Sequence, residues 1–337
     1  MYTAKRIPFY IILPFAWRAI TFFIIYSFII CALYVWFDWT FLAIPLIPIA
    51  TFGTAVAFYV GFKNNSSYER LWEARRIWGG IVNASRSWGI LVMDYVGKLE
   101  PTEYCSPGEL YKIQQVLIYR HIAYINALRI QLRSKPTWQE SRNTGANVVD
   151  THQASDQSKL DKELSMFLHD DEVDFFIKRQ NPATQIVRQQ SKQLRELRQS
   201  GLISEFYHSD MEKMLTEFYN QQGAAERIKS FPFPRQYAYF SYLFVWLFVI
   251  MLPFGMLTEM SKASSSHIWL TIPFYTLIAW VFYTMEVVGD TSENPFENSI
   301  NDVPMTAICR NIEIDLREML GETELPQRTQ AVNNILM

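Results

Sequence analysis

The sequence predicts an all-α membrane protein: four transmembrane helices per subunit, arranged as two hairpins, with a helical cytosolic region between them. Three observations lead there. Half of the 337 residues are hydrophobic and 15% are aromatic, which is rich for a soluble chain. The apolar residues gather towards the two ends and leave a polar middle. Four runs lack any charge: Ala19 to Phe37, Phe41 to Phe62, Gln236 to Leu257 and Ile268 to Met285. Each approaches the roughly 20 helical residues that cross a hydrocarbon core about 30 Å thick. A net charge of -2 averages over these unlike regions and says nothing of either.

Taken in order, residues 1–62 hold an N-terminal segment and the first two spans. Lys5 and Arg6 precede an apolar stretch as in a signal peptide, but Arg18 interrupts it and the run that follows is too long, so a retained span is expected. Asp38 to Thr40 leaves room only for a tight turn, which makes the first two spans antiparallel neighbours. Residues 63–233 carry most of the 31 Lys and Arg residues. With Lys5, Arg6 and Arg18, they place this region and both termini in the cytoplasm of a multi-pass protein of the plasma (inner) membrane. Residues 234–289 hold the last two spans, joined by Thr258 to His267. The fourth span, with Pro273 inside it and Glu286 just after it, is the weakest and has buried core as its alternative. Residues 290–337 form a cytosolic C-terminal segment.

The middle region reads as helical. Ile113, Val116, Leu117, Tyr124, Ala127 and Leu128 recur at helical spacing within Leu110 to Leu132. "TQIVRQQSKQLRELRQSG" continues the pattern until Gly201 supplies a stop. Residues 136–162, around "SRNTGANVVDTHQASDQSKLDKE", are polar and poor in large hydrophobes, and are expected to be a mobile insertion.

No catalytic signature emerges. The chain has no GxSxG, phosphate loop, GxGxxG or HExxH. Its five histidines (His121, His152, His169, His208 and His267) follow no ligand spacing. "HDDE", from His169, reads as a solvated helix start rather than a metal site. Cys31, Cys105 and Cys309 stand alone. Basic and acidic residues interleave, so no nucleic-acid partner is expected. The reading is of a non-enzyme without cofactor or confident metal site.

The second span carries the most structured pattern. Gly53, Ala57 and Gly61 share a helix face where small residues allow close packing. Thr54, Phe58 and Phe62 form the adjacent stripe. Such a helix can line a narrow pore; the alternative is that Phe58 and Phe62 face lipid or fill the subunit core.

"GFKNNSSYERLWEARRIWGG" after this span resembles the bacterial branch of the bestrophin family, as do "FPFPRQYAYFSYLFVWLFVIMLPFG" and "ENPFENSINDVPMTAICRNIEIDLREML" in the same order. The likeness covers nearly the whole chain apart from the polar insertion. It implies a homopentameric channel with one central pore along the fivefold axis, passing a hydrophobic neck, a cytosolic cavity and a lower aperture. By that resemblance the neck falls on Thr54, Phe58 and Phe62, and the aperture on Phe206 in "SGLISEFYHSD". Lys63, Asn64 and Asn65 then stand at the cavity entrance, where they meet hydrated ions. Tyr68, Glu69, Arg70, Glu73, Arg75 and Arg76 tie the helix to its neighbours, with Trp72 and Trp78 anchoring it at the membrane boundary.

Animal members bind calcium in the tail segment. Here Glu293, Asn294 and Asp302 remain, but Ser299 and Asn301 thin the carboxylates, so a structural loop is preferred to a weak calcium site. The partners implied are four further copies of the chain, membrane lipid and small monovalent ions. Phe58 at the middle neck position and Lys63 near the cytosolic mouth favour anions such as chloride; a sodium channel of the same fold is the alternative. A secondary transporter would show related inverted halves and an intramembrane acid or base pair, and neither is visible in the sequence. A membrane-anchored interaction protein would leave the aromatic stripe without a purpose.

Overall fold

The computed structural model describes residues 1–3, 9–97, 106–134 and 149–336. Lys5, Arg6, Cys105 and the insertion up to residue 148 lie outside them. The chain divides into two compact units. One comprises Ala4–Leu71 and Pro232–Asn294, the other Met1–Thr3, Trp72–Phe231 and Pro295–Met337.

The first unit holds α1 (Phe9–Trp36), the first part of α2 (Leu46–Tyr95), α8 (Arg235–Ala263) and α9 (Thr271–Thr291). Among the described residues four segments are long and apolar enough to cross a membrane: Ala16–Trp36, Thr40–Tyr95, Arg235–Lys262 and Ser266–Thr291. They match the four charge-free runs in place and order. The α1–α2 turn passes through Asp38 at φ 53° and a short 3-10 turn, Thr40–Leu42. The entry to α2 is then fixed to α8, because Thr258 Oγ1 donates to Ile44 O at 2.6 Å. Between the helices lies an apolar core that includes Phe23, Ile49, Val56, Val60, Phe248 and Tyr275. Phe23 meets Tyr275 edge-on at 6.0 Å between ring centroids, the arrangement ring quadrupoles favour.

The second unit is built round α3 (Pro107–Arg133). Ser106 accepts from Glu109 N while the Glu109 carboxylate takes the Ser106 N–H, a capping box with proline at the first helical position. Leu117, Ile118, Ile122, Ala123, Ile125 and Leu128 are buried, so α3 is covered on several sides. Around it are α4 (Val149–Leu164), α5 (Asp170–Ile177), α6 (Pro182–Gln199), α7 (Glu205–Ser230) and α10 (Met305–Met319). The amphipathic helix α6 turns Ile186, Val187, Leu194 and Leu197 inward and ends before Gly201, which takes φ 73°, a conformation glycine adopts without penalty. Among the described residues β-structure is limited to isolated bridges, Tyr2 with Ile335 and Val332 with Ile335.

The structure changes three expectations. The polar insertion is helical from Val149, and Leu160 and Leu164 are buried there, because two leucines four residues apart suffice to seat an otherwise polar helix. The second helix, bounded at Phe41 to Phe62 by its lack of charge, does not end there, since α2 runs unbroken from Leu46 to Tyr95. The first charge marks where the apolar run stops, whereas "NNSSYERLWEARR" contains neither Pro nor Gly to stop a helix. Trp78 is fully buried in the helical unit and so does not stand at a membrane boundary; Trp72 is exposed. "HDDE" does begin a helix: His169 is the N-cap of α5, with Asp170, Asp171 and Glu172 in its first turn, where carboxylates suit the helix dipole. Glu172 also pairs with Arg120 at 2.7 Å.

Candidate functional site

Along α2 the apolar run has two opposed faces, separated as a period of 3.6 residues requires. Ile49, Val56, Val60, Lys63 and Ser67 are buried. On the other side Thr54, Phe58, Gly61, Phe62 and Asn65 line an open groove of about 770 Å³, closed at its edge by Phe248 and Phe282. Phe58 and Phe62 are 67% and 65% exposed. Thr54 Oγ1 donates to Ala50 O at 3.0 Å, so its hydroxyl hydrogen is engaged within the helix. Among the described residues no charged side chain lines this groove.

The small residues divide. A Cβ on Gly53 would lie 2.4 Å from the Phe248 ring, so Gly53 packs against α8 of its own chain. Gly61 has open space where its side chain would be, and Ala57 lies between them on the groove wall.

The three residues expected at a cavity entrance separate. Lys63 is 1% exposed and its ammonium contacts Glu286 Oε1 at 2.5 Å. It faces away from the groove, because one residue past Phe62 is about 100° round the helix. Asn64 is directed against α9, where a Cβ on Gly289 would strike its amide oxygen. Asn65 alone of the three lines the groove, its amide donating to Glu69 at 2.8 Å. Lys63 and Glu286 also overturn the expectation that no acid–base pair occupies the spans. Ser241 Oγ on α8 donates to Glu286 Oε2 at 2.7 Å, and Asp290 stands 4.0 Å from the ammonium. Sequence reasoning missed Glu286, Ser241, Phe248 and Phe282. For the pair a signal existed: Lys63 and Glu286 each directly follow a charge-free run, and antiparallel hairpins bring those two run ends to one depth.

Further along the polar stretch, Arg70 Nε donates to Glu293 O at 3.0 Å and Arg76 pairs with Glu73 at 2.5 Å. Glu293 is buried 3.4 Å from Arg235, and burial raises its carboxyl above the usual range. In the other unit, both Asp302 oxygens accept from Ser299, from its N–H at 3.0 Å and its hydroxyl at 2.5 Å. Asn294 is half-buried. Asp302 is thus hydrogen-bonded within its own turn, and Glu293 lies beside an arginine. Phe206, in the first turn of α7 behind the N-cap Ser204, is 84% exposed.

A sequence profile described as Bacterial/Fungal Bestrophin protein matches residues 10–318. The chain belongs to this bestrophin family. Its relatives include the voltage-dependent anion channel-forming protein YneE of Escherichia coli K12, 28% identical over 294 residues, 87% of this chain and 83% of that one. Another is the voltage-dependent anion channel-forming protein mll4386 of Mesorhizobium japonicum, 26% identical over 304 residues, 89% and 83% of the two chains. In fold the bestrophin resembles the crystal structure of a bacterial bestrophin homolog from Klebsiella pneumoniae, at 22% identity and a TM-score of 0.74, over 91% of this chain and 98% of that one.

Proposed function

We propose that this bestrophin is one subunit of a homopentameric channel that conducts small monovalent anions such as chloride passively across the plasma membrane. One observation carries the reading: α2 exposes a continuous uncharged stripe, Thr54, Phe58 and Phe62, on a chain with four membrane-capable helices among its described residues. A lone subunit gains nothing by leaving two phenylalanines bare. Repeated round an axis, the stripe becomes a stack of rings forming a hydrophobic neck, and such a constriction gates by wetting and drying. A ring closes only through head-to-tail contacts between identical subunits; Ala57 and Gly61, with no bulk to obstruct them, are the positions for that approach.

The anion preference rests on ring chemistry. Phenylalanine edges are the electropositive part of the quadrupole, and edges turned inwards favour chloride over sodium. Lys63 adds nothing to this preference, since its charge is compensated by Glu286. That the named relatives form anion channels supports the same sign. Phe206 forms the lower aperture, and Asn65 meets ions leaving the neck. Both termini and the helical unit are cytoplasmic, and the loop around Asp302 is structural. No reaction is catalysed and no cofactor is needed.

Planar-bilayer recording tests the proposal. Discrete unitary steps are expected, with reversal in asymmetric NaCl near the chloride equilibrium potential. Reversal near the sodium potential would reverse the selectivity assignment, and saturable coupled flux without steps would make the protein a carrier. Phe58→Ala should raise unitary conductance about twofold or more by widening the dry segment; unchanged current in an assembled variant would return Phe58 to a lipid-facing role. Native mass measurement in mild detergent should give five subunits.

A further inference from the structure

The buried side chains of α2 before Lys63 are apolar, and apolar contacts are poor at fixing rotation. Ile49, Val56 and Val60 are held by non-directional attraction, so a helix seated on them alone can turn by a fraction of a side chain at little cost. Lys63 is different. Its ammonium reaches Glu286 of α9 at 2.5 Å, and the second oxygen of that carboxylate is occupied by Ser241 of α8 at 2.7 Å. One hydrogen-bonded triad therefore joins three helices, with both carboxylate oxygens satisfied. The helices are also close there: only the missing side chain of Gly289 leaves room for the Asn64 amide, and Lys63 Cδ lies 3.7 Å from where that Cβ would be. Charge-assisted hydrogen bonds are directional as well as strong, and a buried polar group can select one register among alternatives that apolar packing leaves close in energy.

We propose that the Lys63–Glu286–Ser241 triad is the positioning element that sets the rotation of α2, and through it which side chains face the groove and how wide a neck they make. This rests on the assignment of Phe58 and Phe62 to that neck. Phe62 is the residue before Lys63, so any turn of α2 that strains the ion pair also moves the Phe62 ring. The triad holds the helix in one rotational state, in which Phe58 and Phe62 are exposed and Val60 is buried.

The test uses the full-length reconstituted protein and the paired substitution Lys63→Met with Glu286→Leu, which removes the directional bond without leaving an unpaired buried charge. Two readouts apply: unitary current, and thiol modification of Phe58→Cys and Val60→Cys, each measured against the same chain without the added cysteine. In the native background position 58 should react at least about tenfold faster than position 60, following exposure. In the Met/Leu background that ratio should fall towards one, and the single current level should spread into several. The exchanged pair, Lys63→Glu with Glu286→Lys, retains an ion pair in the seam and should restore both readouts. Native current and a native reactivity ratio in the Met/Leu protein would overturn the proposal and leave the triad a packing feature. So would an exchanged pair that assembles but behaves like the Met/Leu protein. A changed reactivity ratio with native current would uphold the rotational role and refute the neck assignment instead.

Discussion

Replacing Gly53 with alanine adds one methyl group where α2 and α8 meet. Its carbon would lie 2.4 Å from Phe248 Cε2 and 2.7 Å from Cζ, whereas ordinary contact begins at 3.4 Å, so the ring must retreat by about 1 Å. Phe248 is buried, and its ring centroid is 4.6 Å from that of Phe282, so a retreat on that side meets a second ring. Overpacking of this kind costs about 1–3 kcal/mol. At the middle of that range the folded-to-unfolded ratio falls about thirtyfold, and the melting point should drop by about 3 °C. Thermal denaturation followed by tryptophan fluorescence in detergent measures it. Phe248→Leu shortens the obstructing ring, so the double variant should recover about 1 kcal/mol relative to the sum of the singles. A Gly53→Ala protein as stable as the parent, or strictly additive singles, would show that Gly53 is not held against Phe248 and would return it to a contact between subunits.

Two further outcomes are expected. His121 is buried against Phe218 and bonded to Ser85 Oγ at 2.9 Å, and burial lowers its imidazole from 6.5 to about 3. The neutral ring belongs to the folded state, so its contribution is whole above pH 6.5 and is lost on acidification towards pH 3, at up to about 1.4 kcal/mol per pH unit. Circular-dichroism melts across that window should show the loss, with a shallower slope in His121→Asn; an unchanged slope would locate the acid sensitivity elsewhere. Asp302→Ala frees the Ser299 N–H and hydroxyl and should cost about 1–3 kcal/mol in thermal stability, while calcium chelation leaves the parent's current unchanged. A current that requires micromolar calcium would show that the loop binds the ion.

Most of the membrane architecture was legible because the hydrocarbon core excludes charge, and four uncharged runs of spanning length leave few alternatives. The groove stripe was legible for a similar reason: residues four apart share a face whatever surrounds the helix. What escaped was pairing across the chain. Lys63 and Glu286 are 223 residues apart, and local periodicity cannot tell a lysine aimed at water from one aimed at a carboxylate on another helix. Trp78 was misplaced for the converse reason, since a tryptophan near an apolar run suits a membrane interface and a protein core equally well. The start of α3 was written in "SPGE", Ser106 to Glu109, but apolar spacing alone finds a helix only from its first large apolar residue, Leu110. Gly53 and Gly61 look alike on a helical wheel, and only the position of Phe248 separates them.

The adjacency of an exposed Phe62 and a buried Lys63 gives α2 a phase as well as an axis. Removing one residue between Ile49 and Thr54 would turn everything upstream of the cut by about 100° relative to the ion pair and carry Ile49 off the apolar core. Adding or removing seven or eleven residues returns the helix to within about 20° of its original phase, with two or three turns gained or lost. Length variation in this part of the helix among working relatives is therefore expected in those quanta. A designed deletion of a single residue should be more damaging than the deletion of seven.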